Sequence, residues 1–344
     1  VAGHQPHGRP AEHADAVHHP IVAANVRWRA AERGGGREPR FTQREGRDKY
    51  PRFMQSQPTP NPDDRCADAA RRRGDTPIGT APPASRWLLL EQDGGWAADV
   101  RASVQAPATA LDALDDALAA ASARLELIRR PGPRTPDGPP RWCVVDARLG
   151  VELWGTRDAD GGWGGALDAL ASPATYAPGP NPRTRTGVLL VCTHGRHDAC
   201  CALRGRGVAS ALAAAYPVET WECTHLGGDR FAANVAVMPD GVLYGHVPPD
   251  EAVALVAAHR AGTPDPAHLR GVIGRTPHEQ AALLAASLAL GVAPWDRGLA
   301  ASEHHADDGW LVEIVFAGRR LDVHGHDDLA PPALLTCAAT APKR

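Results

Sequence analysis

The chain has 344 residues, of which 37 are basic and 40 acidic, so its formal net charge is −3. This length suits about two domains, and the balanced charge excludes a protein built mainly to bind nucleic acid or an anionic membrane surface. The sequence lacks the run of ~18 apolar residues that a transmembrane helix needs and shows no secretory signal pattern, so we expect a cytoplasmic protein.

The first 64 residues differ in composition from the rest of the chain. Five of the sixteen histidines lie within the first nineteen residues, the chain starts with Val1, and Met54 is one of two methionines. The segment is too poor in apolar residues to offset the entropy of ordering it. We therefore predict a disordered tail or an over-extended gene start over residues 1–64, with Met54 as the true first residue. A metal-binding histidine tract is the alternative.

Residues 65–176 are predicted to form an N-terminal α/β unit. Three leucines recur at helical spacing within Thr109–Ala121, which indicates an amphipathic helix. A shorter helix is predicted over Ala166–Ala171. Short apolar runs between turn-forming residues predict strands at Arg86–Glu91, Arg124–Arg129, Trp142–Arg148 and Val151–Gly155.

Residues 186–262 repeat this order of elements and are predicted to form a second unit. A crossover helix places its first two strands in parallel, and a turn at Pro239-Asp240-Gly241 makes the next two a hairpin. This mixed α/β (α+β) sheet covered by helices predicts a thioredoxin-like domain, and the first unit is a candidate second one. The predicted elements are strand Gly187–Cys192, helix Arg206–Tyr216, strand Glu219–His225, strands Ala233–Met238 and Val242–Val247, and helix Asp250–Arg260.

A small α+β appendage is predicted over residues 268–340. Its helix spans residues 276–290, with Thr276 as N-cap, Pro277 at the first position and Glu279 three residues after the cap. A hairpin follows, with strands Gly309–Phe316 and Arg320–Val323 turning about Gly318.

Seven cysteines are present, and four of them fall between residues 192 and 223. Such clustering in a chain without a secretory signal favours metal or redox chemistry over a disulfide framework. Cys192 ends a predicted strand, and Cys200 and Cys201 follow a polar loop. We interpret the three remaining cysteines as structural: Cys66, Cys143 and Cys337.

A second group of candidate ligands follows the next strand. Cys223 and His225 are two residues apart on that predicted strand, so their side chains leave the same face. Asp229 comes after Gly227-Gly228, which lets the backbone approach a bound group closely. Thiolates and imidazole at the carboxyl ends of parallel strands suit a soft or borderline metal. Supporting roles are expected for three further residues: Asp198 as a helix cap, and His194 and His197 at the surface or behind the ligands.

These motifs resemble those of the sucrase/ferredoxin-like family, whose name does not imply sugar hydrolysis. The family motifs C-T-H-G-x-R-D-x-x-C and H-x-G-G-H-x-x-A-x-N correspond here to CTHGRHDACC and HLGGDRFAAN. The resemblance covers most of residues 65–340, from CADAARRRGDTPIGTAPPASRWLLLE through PDGVLYG to LLTC. It implies a thioredoxin-like ferredoxin domain that holds a 2Fe-2S cluster through two cysteines and two histidines.

The resemblance assigns three of the four ligands and leaves the fourth open. Cys192 and Cys201 match the family cysteines, and His225 matches the first family histidine. Asp229 stands where the family has its second histidine, and His197 stands where the motif has arginine. A carboxylate is a harder ligand than imidazole and makes the site more anionic. The fourth ligand is therefore one of three residues, Asp229, Cys223 or Cys200.

The sequence predicts an electron-transfer protein, a redox carrier rather than an enzyme with its own substrate. Two alternatives remain: a thioredoxin-like binding protein without a cluster, and a thiol redox enzyme, although the C-x-x-C pair of such enzymes is missing. Zinc is an alternative to the cluster. The redox partner and the oligomeric state stay open, and neither nucleic acid nor membrane is expected as a partner.

Overall fold

The computed structural model describes residues 65–132, 138–175, 187–306, 309–328, 333 and 335–337, and the backbone of residues 21–30. Within these residues lie six α-helices: α1 (Cys66–Arg73), α2 (Ala108–Ala120), α3 (Gly164–Ala171), α4 (Ala199–Ala215), α5 (Ala252–Arg260) and α6 (Pro277–Leu290). The strands are β1 (Ile21–Ala30), β2 (Arg86–Glu91), β3 (Arg124–Arg129), β4 (Arg141–Asp146), β5 (Val151–Thr156), β6 (Val188–Cys192), β7 (Thr220–Cys223), β8 (Val235–Met238), β9 (Val242–Tyr244), β10 (Leu269–Val272), β11 (Ala300–Ala306), β12 (Gly309–Phe316) and β13 (Arg319–Asp328).

Nine strands form one mixed sheet in the order β10-β9-β8-β6-β7-β3-β2-β4-β5. The other four form a small sheet in the order β1-β13-β12-β11. β2 is parallel to β3, and β6 is parallel to β7; α2 and α4 are the respective crossovers. The predicted fold class, α+β with mixed sheets covered by helices, is confirmed.

The large sheet contains two units with the same connectivity. In each, a parallel pair is followed by an antiparallel hairpin: β4-β5 extends from β2, and β8-β9 extends from β6. The units meet at β3 and β7, which pair antiparallel through Ile128↔Cys223 and Arg129↔Glu222. This is the repeated strand–helix–strand–hairpin order that the sequence predicted for two thioredoxin-like units.

Alternate residues of the central strands face opposite sides of the sheet, as pleated strands require. Leu189 and Val191 of β6 pack with apolar residues of α4 and α5. Leu190 and Cys192 face the other side, into a core that both units share. In the first unit, Leu114 of α2 is fully buried on the helical side of the sheet, as its spacing predicted. The end of β6 therefore delivers the Cys192 side chain to the shared core.

The C-terminal helix packs on the small sheet and begins as predicted. The Thr276 hydroxyl accepts a hydrogen bond from the Glu279 N–H (3.1 Å), and the Glu279 carboxylate accepts one from the Thr276 N–H (2.9 Å). Pro277 occupies the first helical position. The predicted hairpin is also present as β12 and β13. No helix in the described part of the chain combines the length and apolar character needed to cross a membrane.

The segment predicted to be a disordered tail contains one strand. β1 pairs antiparallel with β13, so residues 21–30 form a strand where a disordered tail was predicted. This stretch contains apolar residues such as Ile21, Val22 and Trp28, and its backbone hydrogen-bonds to β13. The rest of 1–64, including Met54 and the histidine-rich start, lies outside the described residues. The four-part domain division stays a prediction, although β10, placed in the appendage, pairs with β9 of the second unit.

Several element boundaries differ from the predicted ones near the candidate ligands. β2 and β3 have the predicted ends. α4 begins at Ala199 rather than at Arg206, because Asp198 caps the helix ahead of the expected start. β7 ends at Cys223, so His225 lies in the loop after the strand and the predicted shared face of the two residues is wrong.

Candidate metal centre

The candidate ligands gather where two parallel strands end. Cys192 is the last residue of β6 and Cys223 the last of β7, and the two are direct register partners. The chain leaves β6 into the loop that leads to α4 and leaves β7 into the loop that carries His225 and Asp229. The two loops therefore start side by side at one edge of the sheet.

The first turn of α4 carries the adjacent cysteines. Asp198 caps the helix, as predicted, by accepting a hydrogen bond from the Cys200 N–H (2.7 Å). Cys200 and Cys201 thus lie in the first turn of α4, directly after the polar loop. A Cβ on Gly205 would lie 2.0 Å from the Cys192 carbonyl oxygen. Only glycine at this position lets α4 pack so closely against the end of β6.

The loop after β7 is held by a buried arginine. Arg270 donates hydrogen bonds to the Gly227 carbonyl (2.8 Å) and to the Asn234 side-chain oxygen (3.1 Å). The Asn234 amide donates in turn to the Gly228 carbonyl (3.0 Å). Both glycines adopt positive φ, +76° and +67°, which is readily available to glycine. This network fixes the turn that brings Asp229 back towards His225.

Three predicted ligands converge at this point. The thiols of Cys192 and Cys201 and a ring nitrogen of His225 all lie within 4.8 Å of one another, and all three residues are buried. The Cys201 thiol donates to Oδ1 of Asp229 (3.2 Å). The same oxygen lies 3.0 Å from Nδ1 of His225. Asp229 therefore links a thiol and an imidazole of the group.

His197 lies against this site, in the position behind the ligands that the sequence analysis considered for it. Its ring stacks on the His225 ring with centroids 3.7 Å apart, and its Nε2 lies 3.7 Å from Oδ2 of Asp229. His194 lies further out: its Nε2 is 2.5 Å from the Ala97 carbonyl. The sequence feature that pointed to His197 is its place in the family motif, where histidine replaces the family arginine.

The two remaining candidates have different surroundings. Cys223 is fully buried in the shared core and belongs to none of the three groups of converging donors found among the described residues. Cys200 turns away from Cys201 and contacts Cys66, with sulfur atoms 3.6 Å apart. Of the three residues left open for the fourth ligand, the geometry brings Asp229 to the site.

The charges of the group depend on one another. Hydrogen bonding from Cys201 lowers the pKa of Cys192 well below that of an ordinary thiol, against the effect of burial, and His225 lowers it further. Burial lowers the pKa of His225, but Asp229 and Cys192 outweigh it and raise the pKa to about 10. Burial raises the pKa of Asp229, but His225 and then His197 outweigh it and lower the pKa to about 2. These shifts favour a thiolate at Cys192 and a carboxylate at Asp229 on either side of a positively charged His225 imidazolium.

The donor set suits a soft or borderline metal centre. Nδ1 of His225 is buried and no described group is aligned to form a hydrogen bond with it, although Asp229 lies close. A buried ring nitrogen that makes no well-aligned hydrogen bond is available to bind a metal. Two thiols, an imidazole and a carboxylate are also donors typical of zinc and of iron–sulfur centres. The residues present therefore fit a 2Fe-2S cluster.

The large sheet contains two units of thioredoxin-like connectivity, and thiols and an imidazole gather where two of its parallel strands end. The fold and the site therefore define a thioredoxin-like protein with a candidate metal centre. A model of the sucrase/ferredoxin-like family matches residues 77–271, which is more than half of the chain. The chain belongs to the sucrase/ferredoxin-like family. No curated protein and no solved structure matches it.

Proposed function

We propose that this protein transfers electrons by means of a 2Fe-2S cluster bound by Cys192, Cys201, His225 and Asp229. The observation that carries the proposal is the convergence of two thiols and an imidazole in a member of the sucrase/ferredoxin-like family. When bound, such a cluster supplies one-electron redox chemistry. The residues described here supply its ligands and set its electrostatic surroundings.

Asp229 is the proposed fourth ligand because it contacts two of the other three. Its Oδ1 faces both the Cys201 thiol and the His225 ring, and its second oxygen faces His197. His197 then acts as an outer contact that orients the carboxylate and offsets its charge. With the Asp229 carboxylate in place of a second histidine, the site carries more negative charge than a site with two histidine ligands.

The surroundings support a redox centre that is dry on most sides. Cys192, Cys201 and His225 are at most 7% exposed, and Arg124 donates a hydrogen bond to the His225 carbonyl. The His197 side chain is 33% exposed, so it forms the open side of the site. We place the approach of the redox partner on that side. The proposal includes a cytoplasmic location, where thiols stay reduced; all seven cysteines are free in the structure.

The test is purification without oxygen, followed by iron and acid-labile sulfide analysis and paramagnetic resonance of the reduced protein. The wild type is expected to contain iron and sulfide in equal amounts and to give a resonance signal when reduced. Cys192→Ser and Cys201→Ser are each expected to abolish both. Cys143→Ser is the matched control, because Cys143 is also a fully buried free thiol of the shared core.

Two results would overturn the proposal. One is a wild-type protein that stays free of iron after reconstitution with iron and sulfide. The other is a Cys192→Ser protein that keeps the iron content and spectrum of the wild type. Iron loss in Cys143→Ser as well would show that the losses reflect general damage to the core.

A further inference from the structure

A second group of thiols lies on the other side of the α4 N-terminus. The sulfur atoms of Cys66, Cys200 and Cys337 form a triangle, with separations of 3.6 Å, 3.5 Å and 3.4 Å. A carboxylate oxygen of Asp198 lies 3.6 Å from the Cys66 sulfur. We define these four residues as the three-thiol group. All their donor atoms lie within 4.8 Å of one another.

Three segments that are remote in sequence build this group. Cys66 lies in the first turn of α1, Cys200 in the first turn of α4, and Cys337 in the C-terminal segment 335–337. The Cys66 N–H donates to the Cys337 sulfur (3.4 Å). Since residues 66 and 337 both lie outside the matched residues 77–271, the family match does not account for their meeting at Cys200.

Asp198 ties the segments together and adds a buried charge. Its Oδ1 accepts from the Cys200 N–H (2.7 Å), and its Oδ2 accepts from the Cys337 N–H (2.6 Å) and the Thr336 hydroxyl (2.9 Å). The residue is 2% exposed, and no ion pair joins it to a basic side chain within the described part of the chain. A buried carboxylate beside three thiols has the composition of a cation site.

We infer that the three-thiol group binds one zinc ion, through the sulfur atoms of Cys66, Cys200 and Cys337 and a carboxylate oxygen of Asp198. This site is separate from the proposed cluster and uses none of its ligands. It gives Cys66 and Cys337, which the sequence analysis interprets as structural cysteines, a metal-binding role.

The separations favour a tetrahedral zinc ion over a disulfide. Zinc binds sulfur at ~2.3 Å, so the sulfur ligands of a tetrahedral zinc ion lie ~3.8 Å apart. The observed separations of 3.4 to 3.6 Å reach this value with small outward shifts. A disulfide would join only two of the thiols and leave the third beside the carboxylate. Cys337 is exposed, which gives the ion a path into the site.

The zinc ion would have a structural role, as a cross-link between separate segments of the chain. It would connect the N-termini of α1 and α4 to residues 335–337 near the C-terminal end of the chain. Closed sites with four protein ligands typically stabilise folds in this way. The effect is therefore expected on unfolding and on zinc content rather than on the redox signal.

The test measures zinc and iron together in the full chain, expressed with both metals and purified without chelators. The wild type is expected to hold a single zinc ion, and Cys337→Ser and Cys66→Ser to lose at least nine-tenths of it while keeping their iron. Cys143→Ser is expected to keep both metals. Asp198→Asn, which retains a capping oxygen, is expected to bind zinc at least tenfold more weakly.

A direct titration covers the case in which a variant fails to fold. Wild-type protein stripped of zinc is titrated with cobalt(II), which is expected to give the intense visible absorption of a tetrahedral thiolate site; Cys337→Ser is expected to give none. The inference is overturned if Cys337→Ser keeps its zinc, if it loses iron instead, or if peptide mapping finds a Cys66–Cys337 disulfide in protein purified without oxygen. Iron loss in Cys192→Ser tests the cluster independently, so failure of one proposal leaves the other standing.

Discussion

Cys200 and Cys201 are neighbours in the chain, yet their thiols belong to two different groups of donors. The Cys200 sulfur lies 3.5 Å from that of Cys337, and the Cys201 sulfur lies 3.2 Å from a carboxylate oxygen of Asp229. Adjacent helical residues point about 100° apart around the helix axis, so one turn of α4 can serve both groups. The pair therefore separates the two proposals experimentally.

The two cysteines are predicted to control different metals. Cys201→Ser is expected to lose iron and keep zinc, because Cys201 is a proposed ligand of the cluster. Cys200→Ser is expected to lose zinc and keep iron, because Cys200 is a proposed ligand of the zinc ion. Metal analysis of both variants and of the wild type, grown in the same medium, checks this. A variant that loses both metals would contradict the separation, provided that its circular dichroism spectrum matches that of the wild type.

Asp229→His restores the second histidine of the family motif and is expected to raise the reduction potential. Imidazole is neutral where the carboxylate is negative, so the reduced state becomes easier to form; the rise should be on the order of 100 mV. A redox titration followed by paramagnetic resonance measures it. Asp116→His, on the exposed face of α2, is the control and should leave the potential unchanged. An unaltered spectrum and potential in Asp229→His would exclude Asp229 as a ligand.

Gly205→Ala is predicted to destabilise the protein although alanine favours helices. The new Cβ would lie 2.0 Å from the Cys192 carbonyl, so α4 must move away from β6. We expect a loss of ~1–3 kcal/mol in the free energy of unfolding, larger than the ~0.5–1 kcal/mol that alanine contributes to a helix. Denaturant titration measures the loss, and iron content should fall with it.

Gly207→Ala is the matched control in the same helix. Gly207 is exposed, and its Cβ would come no closer than 3.0 Å to a Pro249 side-chain atom. We expect no loss of stability and a gain of at most ~1 kcal/mol, which is what alanine contributes to a helix. Equal effects at positions 205 and 207 would show that the contact with Cys192 is unimportant.

His246 is predicted to make stability depend on pH. Burial, and then the positive charge of Arg71, lower its pKa to about 3, whereas an unfolded histidine titrates near ~6.5. The unfolded chain therefore binds a proton that the folded chain does not bind. The stability contributed by neutral His246 is complete above pH ~6.5 and falls as the pH drops towards 3, by at most ~1.4 kcal/mol per pH unit.

Replacing His246 with asparagine removes this titration. His246 has a φ of +58°, a conformation that asparagine tolerates better than most residues. Thermal unfolding of the wild type and of His246→Asn between pH 4 and 7 is expected to show a shallower pH dependence in the variant. Parallel curves would contradict the assignment.

The elements that the sequence predicts best are those with strong local signals. β3 has the predicted ends because apolar residues are bounded by charged and turn-forming ones, and the Thr276 capping box marks the start of α6. β11 was not predicted, because its sequence AASEHHA has no apolar alternation; pairing with β12 orders it. The local sequence does not contain the information that a neighbouring strand supplies.

The site residues that lie in recognisable sequence motifs could be predicted. Cys192, Cys201 and His225 were identified and lie together, and that result needed only the strand ends and the family resemblance. The contact between Cys66 and Cys337 was not predicted, because it spans 271 residues and the motifs that contain these two cysteines do not indicate that they meet. Arg270 was missed for a similar reason: an arginine in a short strand looks solvated, and only the fold shows it buried beneath the glycine turn.

The antiparallel pairing of β3 with β7 has a consequence for how the protein holds together. Two subunits of a symmetric dimer often join in this way, each contributing the same edge strand to a continuous sheet. Here both halves belong to one polypeptide, so their association does not weaken on dilution, unlike that of a true dimer. The first half therefore stays joined at any concentration to the second, which carries Cys192, Cys201, His225 and Asp229.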